Sequence, residues 1–110
     1  MRVLVTGGRD YSDHIQLYKT LDSLEITELC QGGARGADSL AGSWAHDRSI
    51  PCKVYKADWD THGKSAGIKR NMHMLDDFKP DLVVAFTGGR GTAHMIQYSI
   101  KQGYKVQQCE

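Results

Sequence analysis

Short, almost unbroken apolar runs alternate along this chain with longer stretches whose apolar residues recur at helical spacing. Val3-Leu4-Val5 and Leu82-Val83-Val84-Ala85-Phe86 are the runs expected of strands in a parallel sheet covered on both faces. They predict strands at Arg2–Thr6 and Leu82–Thr87. Weaker runs predict strands at Ile26–Gln31 and Cys52–Ala57, and a short final one at Lys105–Gln108. Between them, Asp13–Leu24 carries Leu17, Leu21 and Leu24 on one helical face behind the cap candidates Ser12 and Asp13. Asp38–Ser49 follows with the stripe Ala37, Leu40, Ala41, Trp44 and Ala45. Lys64–Phe78 places Ile68, Met72 and Leu75 on one side and stops before Pro80. Thr92–Gln102 has Ala93, Ile96, Gln97 and Ile100 on its expected inner face, with Gly103 as a closing residue.

Strand–helix alternation from end to end predicts an α/β fold. Its form is a Rossmann-like three-layer domain with a parallel five-stranded sheet, expected order 3-2-1-4-5, spanning residues 1–110 as one domain. In such a sheet the strand order reverses between strands 1 and 4. Ligands bind there, beyond the carboxyl ends of the strands.

The residues expected at that point are unusual. Three Gly-Gly pairs each precede an arginine by at most two residues: Gly7-Gly8-Arg9, Gly32-Gly33-Ala34-Arg35 and Gly88-Gly89-Arg90. Glycine admits close backbone approach, and a helix N-terminus offers free N–H groups to an anion. Gly88-Gly89-Arg90-Gly91-Thr92 can hold a phosphate by backbone amides, the Thr92 hydroxyl and the helix dipole; otherwise it is a tight turn. Asp38 either accepts from a ribose hydroxyl or caps its helix. Arg9 can clamp a phosphate and Tyr11 can stack on a base, while Asp10 can equally form a surface pair with Arg9. Lys64, Arg70 and Asn71 form a polar cluster on an amphipathic helix, with a solvated face as the plain alternative. The loop Asp58–Gly63 before it is long for its kind, and its Trp59 either covers a base or plugs the core edge.

Composition narrows the field. The chain has 110 residues, a formal net charge of +1 and a sequence pI of about 7.8. No basic excess favours duplex nucleic acid, and a small anionic ligand fits better. No run reaches the eighteen or so apolar residues of a membrane span. Cys30, Cys52 and Cys109 show neither a disulfide framework nor CxxC spacing, and the five histidines show no ligand spacing. Neither a metal nor a cofactor is expected, and a cytoplasmic location is the default.

The sequence resembles the SLOG superfamily, and within it the small YspA-type (cpYpsA-related) proteins found in phages and bacteria. The likeness runs through VLVTGGRDY, QGGARGADSLAGSWA, KADWDTHGKSAGIKRNMHML and PDLVVAFTGGRGTAHM. It implies a Rossmann-like fold and a nucleotide-derived ligand. Relatives similar to phosphoribohydrolases cut the N-glycosidic bond of nucleoside monophosphates with a PGGxGTxxE motif and an arginine on the preceding helix. Gly88, Gly89, Gly91 and Thr92 match, and Arg70 matches the arginine. Thr87 replaces the proline and Met95 the glutamate, which leaves that mechanism without its carboxylate. Asp10, Asp38 or Asp58 would have to substitute, pointing into the pocket. Another branch resembles the single-stranded-DNA-binding protein DprA through Gly33-Ala34-Arg35-Gly36, but aromatic residues are few here.

The expectation is therefore a module that captures a nucleotide or ADP-ribose-like ligand, for sensing or sequestering a signal, with a phage–host setting implied by the resemblance. N-glycosidase activity is the alternative. The resemblance also implies a homodimer or higher homo-oligomer.

Overall fold

The computed structural model describes residues 1–109. In chain order the elements are β1 (Arg2–Thr6), α1 (His14–Asp22), β2 (Glu28–Gln31), α2 (Ala37–Asp47), β3 (Cys52–Val54) and α3 (Trp59–His62). A 3-10 turn (Gly63–Ser65), α4 (Ala66–Phe78), β4 (Leu82–Phe86), α5 (Arg90–Lys101) and β5 (Val106–Cys109) complete it. The strands form one sheet in the order β3-β2-β1-β4-β5, with every pairing parallel. This is the expected Rossmann-like α/β architecture.

Successive side chains of β1 serve opposite faces of the sheet. Val3 and Val5 join Leu29, Val84 and Phe86 beneath α1 and α2, which contribute Leu17, Leu21, Ala41, Trp44 and Ala45. Leu4 joins Cys30 and Val83 on the other face, beneath Met74, Leu75 and Phe78 of α4 and Met95 of α5. Each such leucine or valine stabilises the fold by ~1.5–3 kcal/mol relative to an exposed one. Covering both faces buries all but the first residue of each central strand and leaves their carboxyl ends as the place where loops gather.

Asp13 is the N-cap of α1 and accepts from Gln16 N at 3.0 Å. Gly103, at φ +88°, donates to Ile100 O beyond the end of α5. Two stripes, however, are rotated from expectation. In α4 the buried residues are Ala66, Asn71, Met74, Leu75 and Phe78, while Ile68 is 47% exposed. In α5 they are Thr92, Met95 and Ser99, and Ile100 is 59% exposed. The sequence reading followed the branched apolar residues. The first turns of both helices instead pack around loops and a cleft, where small and polar groups face inward. Residues 59–63, expected as loop, and Lys64 and Ser65, expected as the start of the following helix, form two short helical turns. Asp58 caps the first by accepting from Thr61 N at 3.1 Å, and four residues are too few to display a period.

Candidate functional site

The turns after β1, β2 and β4 meet above the β1–β4 switch point. Gly8 holds them together: its N–H donates to Thr87 O at 3.0 Å, and its carbonyl accepts from Tyr11 N and Ala37 N at 3.2 and 3.1 Å. The contacts leave no room for side chains. A Cβ on Gly36, which has φ +77°, would lie 2.2 Å from Gly8 O, and one on Gly7 would lie 2.5 Å from Ala37 Cβ. Gly36 occupies the N-cap position of α2, so Asp38 sits inside the first turn and is not the cap that its sequence position allowed.

Beside this junction opens a cleft of about 970 Å³, near the top of the range for small-molecule sites, roughly 300–1,000 Å³. One wall is the turn Gly88-Gly89-Arg90-Gly91-Thr92. The first bond closing α5 runs from Ala93 N to Gly89 O at 3.0 Å, so the N–H groups of Arg90, Gly91 and Thr92 precede the helix's own ladder. Positions where Gly89 and Gly91 would carry a Cβ are open space. Arg9, Lys64, Arg70 and Arg90 also line the cleft, and none of them forms an ion pair among the described residues. Of the three lining carboxylates, Asp13 is engaged as a cap, Asp10 pairs with Arg35 at 3.3 Å and Asp38 is 6% exposed, against four cations. The balance at the cleft surface is therefore cationic, although the chain as a whole is nearly neutral. Arg9 lies 5.6 Å from the centroid of the Trp59 ring, and Trp59 is half exposed on the rim.

The floor is a buried polar arrangement. Arg70 Nη1 donates to Gly32 O at 2.5 Å and to Tyr55 O at 3.3 Å, and Arg70 Nε donates to Asn71 Oδ1 at 3.1 Å. Asn71 Nδ2 donates to Gly91 O at 3.1 Å and lies 3.3 Å from His94 Nδ1. Burial pushes Arg70 below the usual guanidinium value, opposed by the charge of Asp38. Burial pushes Asp38 above the usual carboxyl value, opposed by hydrogen bonding from Ala34 N, the charge of Arg70, Gly32 N and Arg9. A Cβ on Gly32 would strike Arg70 Nη1 at 2.5 Å and Asp38 Oδ2 at 2.9 Å, so this glycine lets the two groups close in behind the cleft.

The structure thus gathers Gly7, Gly8, Arg9, Asp10, Tyr11, Ala34, Asp38, Trp59, Lys64, Arg70, Asn71, Gly88, Gly89, Arg90, Gly91 and Thr92 around one cavity. It does not bring Gly32, Gly33, Arg35 or Asp58 to the cavity wall. Gly33, at φ +75°, abuts Val54 and Lys56, and its N–H goes to Gln31 Oε1 at 2.6 Å. Arg35 is on the surface with Asp10, which replaces the Arg9–Asp10 pair considered from sequence. Asp58 is the exposed cap of α3. Gly8 and Gly33 have no free N–H to offer. Tyr11 keeps its ring 5.2 Å from that of Phe86 and its hydroxyl on Gln16 Oε1, so it is a wall rather than an unencumbered stacking platform. Sequence reasoning missed His94, Gly67, Ile68, Met74 and Ser12 at the cavity. The i, i+3 spacing of Asn71 and Met74, and of Gly91 and His94, pointed to two of them. Met95, at the glutamate position of the hydrolase motif, is fully buried in the core.

Fold and cleft position define the class: a doubly wound, Rossmann-like α/β domain with a cavity at its topological switch point. The chain belongs to the YspA, cpYpsA-related SLOG family, whose sequence pattern matches residues 1–62. The Gene 61 protein of Mycobacterium phage D29 is 36% identical over 117 residues, covering 96% of this chain and 93% of the relative. Among solved structures the chain is similar to UDP-GlcNAc 2-epimerase from Neisseria meningitidis, crystallised with UDP-GlcNAc, with a TM-score of 0.60 at 20% identity. That likeness covers 100% of this chain but 32% of the epimerase chain, and it shows the shared fold.

Proposed function

We propose that the protein captures a nucleotide or a nucleotide-derived ligand of the ADP-ribose type in this cleft, through its phosphates, and so senses or sequesters a signal in phage–host conflict. The observation that carries the reading is the open turn at the start of α5, with its unengaged N–H groups beside Arg9, Lys64 and Arg90, none of them ion-paired among the described residues. An anion there meets a helix N-terminus and several cations together. The SLOG family membership and the phage relative support the class of ligand and the setting. Three free cysteines support a reducing, cytoplasmic environment. Assembly into a homodimer or higher homo-oligomer belongs to the same proposal, and light scattering after gel filtration tests it.

One observation favours a second reading, N-glycosidic hydrolysis. Asp38 lines the cleft, is 6% exposed and holds its proton to higher pH than a free carboxyl, as a general acid must. Met95 supplies no such group. Incubation with nucleoside monophosphates, NAD and ADP-ribose separates the readings. A thermal shift with no free base by chromatography supports capture. Base release that Asp38→Asn abolishes establishes hydrolysis instead. Salt-sensitive retention of an oligonucleotide with no nucleotide shift overturns both.

A further inference from the structure

We infer that His94 is a ligand-binding residue of the cleft, acting as a neutral Nε2–H donor to an oxygen of the sugar–phosphate, and that Asn71 is the positioning residue which fixes it in that form. This rests on the nucleotide reading for the identity of the acceptor, but not for the state of the ring.

Asn71 is 4% exposed. An arginine Nε can only donate, so the Asn71 atom facing Arg70 Nε at 3.1 Å is the carbonyl oxygen. A peptide carbonyl can only accept, so the atom facing Gly91 O at 3.1 Å is the amide nitrogen. Two independent partners therefore set the same orientation of the side-chain amide. Its second N–H faces His94 Nδ1 at 3.3 Å. That nitrogen must present a lone pair, and the proton of the neutral ring then resides on Nε2. The ring plane is held as well, 6.0 Å from the Tyr98 ring and within 7° of parallel. His94 lines the cavity, and its Nε2 has no hydrogen-bond partner among the described residues. An oriented donor with no partner among the described residues is thus left over on a residue that lines the cleft, at the start of the second turn of the helix whose N-terminal groups form the anion wall.

The same connections make Asn71 a brace between two parts of the site. It holds Arg70, which reaches back to the turn after β2, and it holds Gly91, part of the turn after β4. Positioning of the ring and of the glycine turn is therefore one operation.

Two measurements test this. Long-range 1H–15N NMR correlations of His94 at neutral pH, in the free protein, are expected to show an unprotonated Nδ1 and a protonated Nε2. Asn71→Leu is expected to remove that preference. A protonated Nδ1 in the wild type overturns the inference. Titration calorimetry with AMP and ADP-ribose is expected to show roughly three- to tenfold weaker binding for His94→Phe, the scale of one lost hydrogen bond. His94→Gln, whose amide nitrogen can replace Nε2–H, is expected to recover most of that loss. Full affinity in a folded His94→Phe protein overturns the ligand role and leaves nucleotide capture standing. Failure of both nucleotides to bind the wild type overturns the capture reading and the ligand role with it, whereas the tautomer is read without any ligand.

Discussion

In the turns after β1 and β2, glycine lets polypeptide meet polypeptide. Gly8 gives its N–H to Thr87 and its carbonyl to Tyr11 and Ala37, and Gly36 leaves just enough space for that carbonyl. In the turn after β4, by contrast, Gly89 and Gly91 face open space, and the N–H groups at the start of α5 have no helical acceptor. Both regions follow strands with a Gly-Gly pair and an arginine. One is a joint that fixes the loops, and the other is a surface left open, to a guest under the proposed function. What separates them is whether the neighbouring atoms belong to the chain itself.

Placing a methyl group in the joint gives the largest expected effect. Gly36→Ala combines a Cβ at 2.2 Å from Gly8 O with φ +77°, so it should cost roughly 3 kcal/mol or more in urea unfolding, or abolish folding. A variant as stable as wild type would show that the loops are not rigidly joined. Removing a cation from the open turn should act on the guest and not on the fold. Arg90→Ala is expected to weaken nucleotide binding by roughly tenfold or more, with stability unchanged to within about 0.5 kcal/mol. Unchanged affinity in calorimetry would take Arg90 out of the site. Gly91→Ala offers the direct counterpart to the Gly36 change. With open space around it and a helical position, it should leave unfolding free energy unchanged or raise it by up to about 1 kcal/mol. A loss as large as that of Gly36→Ala would erase the contrast between the two turns.

The smallest effect concerns Asp38 behind the joint. Its carboxyl is raised above the ordinary value of 3.8 by burial, so the fold favours the protonated form. The stabilisation it contributes is present below that ordinary value and is lost as pH rises through the folded value. Wild type should therefore lose stability relative to Asp38→Asn as pH increases above 3.8, seen as a wild-type urea midpoint that falls relative to the variant's. A wild-type midpoint that rises relative to the variant's instead would mean that Arg70 and Arg9 outweigh burial at this site.

Much of this was legible from residue order. Val3-Leu4-Val5 and Leu82–Phe86 marked the central strands because strands covered on both faces need no polar alternation. Strand–helix alternation carried the topology, and the topology carried the site, since right-handed crossovers leave one switch point in such a sheet. Arg9, Arg90 and the Gly88–Thr92 turn followed from that, whereas Arg70 came from the polar cluster on its helix and from the family resemblance.

Sequence by itself thus determined the layers, the strand order and the edge at which loops meet, because hydrophobic period and chain handedness are local and cumulative. Tertiary structure alone decided which glycine N–H groups were free, that Arg35 would reach Asp10, and that Asn71 would face inward beside His94. Those outcomes depend on distances between residues far apart in the chain. A hydrogen bond is made or lost within a few tenths of an ångström, and no spacing along the sequence specifies that.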